Sequence, residues 1–165
     1  IVAWVMFIEG GGQFDSDRCA GAVLDIDPTR IIDRASGWHD QGSGELRSIH
    51  LYFDDYKHRP DKLGRCVALT EFGGYSLPIG GHLWNEGGKP FGYKKFDSQE
   101  KFRRALTLLY DGQIRPACMN GLAAAIYTQL TDVESELNGL MTYDRRVIKL
   151  APDDIKRIIA MPPVK

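Results

Sequence analysis

Short apolar runs, each followed by polar or glycine-rich sequence, recur about five times along the chain. A continuous apolar run of this length is typical of a strand that is buried on both faces of a parallel sheet. In the third run, Ile49, Leu51 and Phe53 alternate with more polar residues, which is also a strand pattern. The runs cover residues 1–7, 31–36, 46–53, 67–70 and 122–127. Together they predict an α/β protein built around a parallel sheet.

Apolar residues at helical spacing predict three helices between and after these strands. We expect one over residues 15–24, a second from a cap at Asp97 to about Pro116, and a last one from Pro152 to about Ala160. Residues 54–64 are polar and contain a proline, which predicts a loop. Residues 76–96 are rich in glycine and aromatic side chains, and a connection of this length is usually functional or mobile.

Composition and charge bound the class of protein and its partners. The 165 residues are 43% hydrophobic, which allows one domain with a sizeable core. The 21 basic side chains nearly balance the 22 acidic ones, so no broad basic surface favours nucleic acid or an anionic membrane. No apolar run is long enough to span a bilayer. We therefore expect a small neutral substrate, no nucleic acid and no membrane, and the sequence does not indicate a cellular compartment.

Neither the cysteines nor the glycines of the chain indicate a cofactor. Cys19, Cys66 and Cys118 lie about fifty positions apart, which matches neither a metal-binding Cys-x-x-Cys pair nor a disulfide framework. We expect them to be buried free thiols. The glycines at residues 10–12 follow the first strand, but they form neither a Gly-x-Gly-x-x-Gly pattern nor a phosphate-binding loop with its lysine. No nucleotide and no other cofactor is expected.

Two carboxylates stand where predicted strands end in glycine. Glu9 follows the first apolar run, and Glu71 follows the fourth. Because parallel strands present their carboxyl ends at one edge of the sheet, both side chains are expected at the edge where such folds keep their chemistry. Taken alone, each glutamate is also compatible with an ordinary loop carboxylate.

Six segments, in order along the chain, resemble blocks of the catalytic domain of glycoside hydrolase family 2. This family contains enzymes of the β-galactosidase, β-glucuronidase and β-mannosidase types. The resemblance is carried by residues 4–15, 27–30, 36–40, 49–52 and 70–75, and by residues 127–134 with their continuation through 138–139 to 142–145. It covers essentially the whole chain.

The resemblance implies a fold and a domain organisation. We expect a partial (β/α)8 TIM barrel comprising about strands 4 to 8 with their helices, with residues 1–165 as its C-terminal portion. Strands 1 to 3 and the N-terminal β-sandwich domains would be absent, and Ile1 would be a cut edge rather than a natural start. A complete barrel typically needs about 250 residues. The open sheet edges of such a fragment invite self-association.

The resemblance also implies a reaction. It makes Glu71 the nucleophile and Glu9 the acid/base of a retaining β-glycosidase that hydrolyses O-glycosidic bonds by double displacement. That chemistry needs two carboxyl groups about 5 to 5.5 Å apart. Ile8 stands where the family usually has asparagine, and Gly11 where it often has tryptophan. These departures and the missing strands predict weak activity or none for this chain.

Further polar and aromatic residues are candidates for binding the sugar. His50 and Tyr52 end the strand between the two glutamates, where they are placed to bond sugar hydroxyls or Glu71. Trp38 offers a flat apolar face to a sugar ring, although a core tryptophan has the same sequence signature. The expected substrate-binding set is His50, Tyr52, Trp38, Asp40, Trp84 and Gln129, and each has the alternative of a structural role.

No metal site is expected, and two other functions remain open. The loop cluster Asp54, Asp55, His58 and Asp61 matches no metal template, so we interpret it as a solvated loop. The pair at residues 85–86 has no strand before it and is expected to have no catalytic role. The alternatives to an enzyme are a non-catalytic carbohydrate-binding remnant and a structural partner that completes a barrel with another chain.

Overall fold

The computed structural model describes residues 1–161. This part of the chain contains seven strands, four α-helices and one π-helical segment. In chain order they are β1 (Ala3–Val5), α1 (Ser16–Leu24), β2 (Ile31–Asp33), β3 (Leu46–Leu51), β4 (Cys66–Gly73), β5 (Tyr75–Ser76), β6 (Lys94–Lys95), α2 (Gln99–Leu109), the π-helical segment (Tyr110–Ile114), α3 (Arg115–Met119), β7 (Ala124–Thr128) and α4 (Pro152–Ile159).

Strand β4 is the centre of the fold. It pairs in parallel with β3 on one side and β7 on the other, and its buried Leu69 and Phe72 belong to the main hydrophobic core. Phe102, Leu106 and Ile114 cover one face of this sheet from α2 and the π-helical segment. The register sets His50 opposite Glu71 at the carboxyl end of β3 and β4. The sheet therefore brings two predicted site residues together through backbone pairing alone.

The predicted partial (β/α)8 barrel is wrong. The described strands divide into sheets of two, three and two strands, in the orders β1–β2, β3–β4–β7 and β5–β6, and no barrel closes. The chain passes from β2 to β3 and from β3 to β4 through loops without a helix, so the strand–helix alternation of a barrel is interrupted twice. The intervening residues 34–45 and 52–65 are polar and glycine-bearing, and they carry no apolar stripe that could hold a helix against the sheet.

The first apolar run is not a buried strand. Only Ala3–Val5 form β1, and Val2, Val5 and Ile8 are 83%, 53% and 61% exposed. The physical reason is that β1 pairs with β2 alone among the described residues, and no second layer covers its apolar side chains. Continuous apolar sequence predicts burial only when the rest of the fold supplies a covering layer.

The helices lie close to their predicted positions, with two local differences. α1 and α4 match the expected ranges, and α2 is capped by Ser98, which accepts the Lys101 N–H at 3.3 Å, rather than by the predicted Asp97. The chain also continues past Pro116. The π-helical segment widens the helix, and Pro116 lies directly after this widened turn, at the start of α3.

The long connection and the cysteines differ from expectation in part. Residues 76–96 are largely loop as predicted, but the ends of this connection pair as β5 and β6. Cys19, Cys66 and Cys118 are free thiols as expected, whereas their predicted burial is wrong, since Cys66 is exposed and the other two are partly exposed. None of the helices in the described residues is both long and apolar enough to cross a membrane.

Candidate active site

Glu9, His50 and Glu71 converge at the carboxyl ends of β1, β3 and β4. The His50 Nδ1 atom lies 2.6 Å from Glu9 Oε1 and 3.4 Å from Glu71 Oε2. One oxygen of each carboxylate and this ring nitrogen all lie within 4.8 Å of one another. The imidazole is fully buried, while the two carboxylates are 32% and 24% exposed. These three side chains therefore form a polar surface that a ligand can reach from solvent.

Backbone hydrogen bonds place Glu9, although it lies well beyond the end of β1. The Glu9 N–H donates to the Ser36 carbonyl at 2.9 Å, and the Ser36 N–H donates to the Phe7 carbonyl at 2.8 Å. These two bonds extend the parallel pairing of β1 and β2 to the site. Glu9 itself has a φ of 45°, an uncommon left-handed conformation for a residue with a side chain. That turn directs the side chain back over His50.

A chain of hydroxyl groups determines where the His50 proton lies. His50 Nε2 is 3.0 Å from Ser36 Oγ, Ser36 Oγ is 3.0 Å from Thr70 Oγ1, and Thr70 Oγ1 donates to the Ile49 carbonyl at 3.4 Å. A carbonyl can only accept, so the donors run outward from His50 Nε2–H through Ser36 and Thr70. In the neutral imidazole, Nδ1 then carries a lone pair. Nδ1 meets Glu9 Oε1 at 2.6 Å, where a protonated Glu9 would donate to the neutral ring and an ionised Glu9 would accept from the protonated ring.

Glu71 has different hydrogen-bond partners. The Tyr52 hydroxyl donates to Glu71 Oε2, and Thr128 Oγ1 lies 3.2 Å from the same phenol oxygen. Burial, with the hydrogen bond to Glu71, raises the pKa of Tyr52 well above its usual range, so the phenol keeps its proton. A donated hydrogen bond stabilises the ionised form of a carboxylate. Glu71 thus accepts a hydrogen bond from a phenol, whereas the partner of Glu9 is an imidazole nitrogen.

Tyr93, which belongs to the long connection, forms a wall of the site on the Glu71 side. The Tyr93 ring stacks on Tyr52 with centroids 3.8 Å apart and packs edge-on against Phe53. Burial, then the charges of Glu9 and other nearby carboxylates, raises the pKa of Tyr93. The connection is therefore folded over the strand ends rather than extended into solvent.

Three glycines allow side chains to approach the site closely. A Cβ on Gly37 would lie 2.9 Å from His50 Nδ1 and 3.2 Å from Glu9 Cγ. A Cβ on Gly73 or Gly74 would lie 2.4 Å from the rings of Tyr127 or Tyr93. All three glycines have positive φ, which side chains disfavour. The Gly73–Gly74 pair after Glu71 thus makes room for the aromatic wall.

Trp38 lies beside the site with its ring open to solvent. Its indole N–H donates to the His50 carbonyl at 3.2 Å, and its ring meets the imidazole edge-on with centroids 6.3 Å apart. The residue is 57% exposed. Trp38 is therefore not a core tryptophan, and its free face is available to an apolar ligand surface.

Three of the predicted substrate-binding residues are engaged elsewhere. Asp40 forms a two-pronged ion pair with Arg65, and Gln129 donates to Glu136 at 3.0 Å. Trp84 packs edge-on against Tyr143 and lines a separate cleft of about 310 Å³ together with Pro90. Among the described residues, none of the three forms a hydrogen bond, an ion pair or a ring contact with the two glutamates or His50.

The loop cluster interpreted as solvated is in part a buried ion pair. Asp61 accepts hydrogen bonds from the Arg65 guanidinium at 2.9 Å and from the Leu63 N–H at 3.1 Å, and its side chain is 2% exposed. Asp55 accepts from Gln113, and His58 lies near the Tyr56 hydroxyl. The four residues do not converge as metal ligands. The acidic side chain at position 86 accepts from the Gly81 N–H in a turn, with no strand before it, as expected.

Several residues that shape the site carry little signal in the sequence. Ser36 and Thr70 orient His50, Thr128 contacts Tyr52, and Tyr93 forms the wall. Ser36 and Thr70 each lie within a segment that matches the family resemblance, one at the end of a predicted strand and the other beside Glu71. Their positions in these segments were the indication that the sequence offered for a role in the site. Tyr93 lies in a loop, and no pattern there indicates where it folds.

Known proteins give no independent assignment for this site. A scan against models of protein families found no match, and a search of curated proteins found none either. The resemblance to glycoside hydrolase family 2 therefore stays a prediction that rests on the sequence segments, and the site has to be interpreted from its own geometry.

Proposed function

We propose that this chain is a retaining β-glycosidase of the β-galactosidase/β-glucuronidase type. The observation that carries the proposal is the pair of carboxylates of Glu9 and Glu71, which have one oxygen each within 4.8 Å of the other and different hydrogen-bond partners. Retaining enzymes keep the two carboxyl groups about 5 to 5.5 Å apart, whereas inverting enzymes need about 6.5 to 9.5 Å to admit a water. The short separation favours the retaining reaction.

In the proposed double displacement, Glu71 is the nucleophile and Glu9 is the acid/base. In the first step a Glu71 oxygen forms a bond to the anomeric carbon, the bond to the leaving oxygen breaks, and Glu9 transfers its proton to that oxygen. In the second step water attacks the anomeric carbon while Glu9 takes a proton from it, and the Glu71 ester bond breaks. Glu9 ends protonated and Glu71 ends ionised, as they began.

The surroundings of each glutamate support its proposed role. With a neutral imidazole, the donor chain leaves His50 Nδ1 as the acceptor for a protonated Glu9, which is the starting state of a general acid. The Tyr52 phenol favours an ionised Glu71, which is the starting state of a nucleophile. Trp38 supplies an exposed ring beside both, suited to the apolar face of a sugar. Ile8, at 61% exposure, supplies no hydrogen bond to a sugar, so we expect slow turnover.

The test is hydrolysis of p-nitrophenyl β-D-galactoside, β-D-glucuronide and β-D-mannoside by the intact chain. We expect slow release on at least one of them, with retention at the anomeric carbon by NMR. Glu71→Gln should abolish turnover. Glu9→Gln should lower it by about 10²- to 10⁴-fold on poor leaving groups and far less on dinitrophenyl glycosides, which need no proton. Glu86→Gln is the matched control, since this glutamate lies in a remote turn.

A trapping experiment assigns the nucleophile directly. A 2-deoxy-2-fluoro β-glycoside with a good leaving group should label the chain once, and mass spectrometry should find the sugar on Glu71. Turnover that survives Glu71→Gln, or a label on another residue, would contradict the assignment.

The exposed Trp38 ring also favours a second candidate, carbohydrate binding without hydrolysis. In that case calorimetry would detect sugar binding to the chain, Trp38→Ala would remove it, and Glu9→Gln would leave it unchanged. The glycosidase proposal instead expects turnover that depends on both glutamates.

A further inference from the structure

We propose that Glu9, His50 and Glu71 form a binding site for a divalent transition metal ion, with Zn²⁺ as the reference ion. The ligand atoms are one oxygen of each carboxylate and the His50 Nδ1 atom. An ion held there blocks both glutamates, so metal binding and glycoside hydrolysis exclude each other. The inhibition rests on the function proposed above, whereas the metal binding does not.

The donor atoms are spaced as a small metal ion requires. Four-coordinate zinc with bonds of about 2.0 to 2.1 Å separates its ligand atoms by about 3.3 Å. The His50 Nδ1 atom lies 2.6 Å from Glu9 Oε1 and 3.4 Å from Glu71 Oε2, and the three atoms lie within 4.8 Å of one another. Small side-chain rotations of the two partly exposed glutamates bring all three distances to that value.

The histidine is already in the form that binds a metal. Ligating histidines almost always donate their other ring N–H to an oxygen, which sets the tautomer and orients the ring. His50 Nε2 meets Ser36 Oγ at 3.0 Å, in a chain that leaves the lone pair on Nδ1. The imidazole is fully buried, so the ring cannot turn away into solvent. The Tyr52 hydroxyl donates to Glu71 and so orients this carboxylate, without being a metal ligand itself.

The donor set selects the class of ion. One imidazole and two carboxylates suit zinc and its transition-metal neighbours, while Mg²⁺ and Ca²⁺ take oxygen ligands in larger numbers. The carboxylates are 32% and 24% exposed, so water can fill the remaining coordination positions. Among residues 1–161 no second group of three such ligands converges. The other close pair, His82 Nδ1 and Asp144 Oδ2 at 2.8 Å, has one carboxylate only.

The experiment is a calorimetric titration of ZnCl₂ into the intact, chelator-treated chain, with Co²⁺ absorption as a second readout. We expect one equivalent of Zn²⁺ to bind, and one equivalent of Co²⁺ to give visible bands that Zn²⁺ abolishes and Mg²⁺ does not. Glu71→Gln and His50→Asn should each weaken binding by more than about tenfold, and Ser36→Ala by about tenfold. His82→Gln is the matched control and should bind as the unchanged chain does.

The outcomes separate this proposal from the glycosidase proposal. If His50→Asn does not fold, the Co²⁺ bands of the unchanged chain and the Glu71→Gln titration still decide the result. Absence of binding up to millimolar Zn²⁺, or equal binding by Glu71→Gln and the unchanged chain, overturns the metal site. If a glycoside is hydrolysed, Zn²⁺ should inhibit in competition with it. If none is hydrolysed, the enzyme proposal fails while the titration still decides the metal site.

Discussion

At the scale of single residues, the site depends on one position where a side chain is not tolerated. Gly37 has a φ of 111°, and a Cβ there would press on His50 Nδ1 and Glu9 Cγ. Gly42 has a φ of 70° and open space around its Cβ position. Gly42 therefore serves as the reference for a positive φ without close contact.

We expect Gly37→Ala to be more destabilising than Gly42→Ala and to damage the site as well. Gly42→Ala incurs about 1 to 2 kcal/mol from the left-handed backbone. Gly37→Ala incurs a larger backbone cost, because a φ of 111° lies outside that region, and it adds the displacement of His50. Urea unfolding should place Gly37→Ala at least about 1 kcal/mol below Gly42→Ala, and the Zn²⁺ titration should fail only for Gly37→Ala. Equal stabilities and equal Zn²⁺ binding would contradict the close approach.

Lys149 and Asp132 form a buried ion pair. Lys149 Nζ lies 2.7 Å from Asp132 Oδ1 and 2.9 Å from the Leu137 carbonyl, and both charged side chains are fully buried. Burial lowers the pKa of Lys149 and raises that of Asp132, which shows that desolvation opposes both charges. Removing one partner leaves the other buried and unpaired.

Lys149→Met should therefore lower the free energy of unfolding by about 3 to 5 kcal/mol. Lys101→Met is the matched control, because its pair with Asp97 is exposed on both sides and should contribute little to stability. Urea denaturation measures both. A loss for Lys149→Met that is no larger than the control would show that the buried pair is not required.

At the scale of elements, the loop between β3 and β4 is held by charge rather than by a helix. Asp61 accepts hydrogen bonds from the Arg65 side chain and from two backbone N–H groups, and Arg65 also pairs with Asp40. The Arg65 hydrogen bonds hold the pKa of Asp61 and of Asp40 below their usual range. These interactions fasten the chain as it enters β4 and so support the strand that carries Glu71.

This arrangement predicts an acid-sensitive contribution to stability. The pKa of Asp61 is lower in the folded chain than in the unfolded chain, so its contribution is fully present above the unfolded value of about 3.9. It is lost as the pH falls through the folded value. Asp61→Asn should be less stable than the unchanged chain at neutral pH, and the difference should shrink progressively below about pH 4. Thermal unfolding across this range measures it, and a difference that grew on acidification would contradict the sign.

At the scale of the whole molecule, the fold leaves apolar surface at the edge of β1. Val2, Val5 and Ile8 lie along this strand and the residues that flank it, all more than half exposed, and the strand pairs on one side only. Exposed apolar strand edges pair with other chains. The net charge of −1 gives little repulsion to prevent such contact.

We expect the chain to self-associate through this edge as its concentration rises. Val5→Lys should shift the sedimentation profile towards monomer, because a charged side chain on an edge opposes strand pairing. Leu108→Lys is the matched control, since Leu108 is 62% exposed but lies on α2, outside the β1–β2 sheet. A chain that remains monomeric at all concentrations, or an equal response to both variants, would contradict the prediction.

The sequence by itself determined the local elements and the pair of glutamates. Helical spacing located α1, α2 and α4 because an apolar stripe needs only neighbouring turns to define it. Apolar runs that end in a carboxylate and glycine indicated Glu9 and Glu71, because parallel strands end at one edge wherever their sheet lies. His50 and Tyr52 followed from their place on the strand between them.

Only the tertiary structure decided how these elements assemble and which polar residues serve the site. The division into sheets and the exposure of β1 depend on which layers meet, and a periodic pattern carries no information about that. The engagement of Asp40 by Arg65, the stacking of Tyr93 on Tyr52 and the direction of the hydroxyl chain behind His50 depend likewise on contacts between distant segments. The sequence therefore indicated the two carboxylates, and only the folded chain gave them different hydrogen-bond partners.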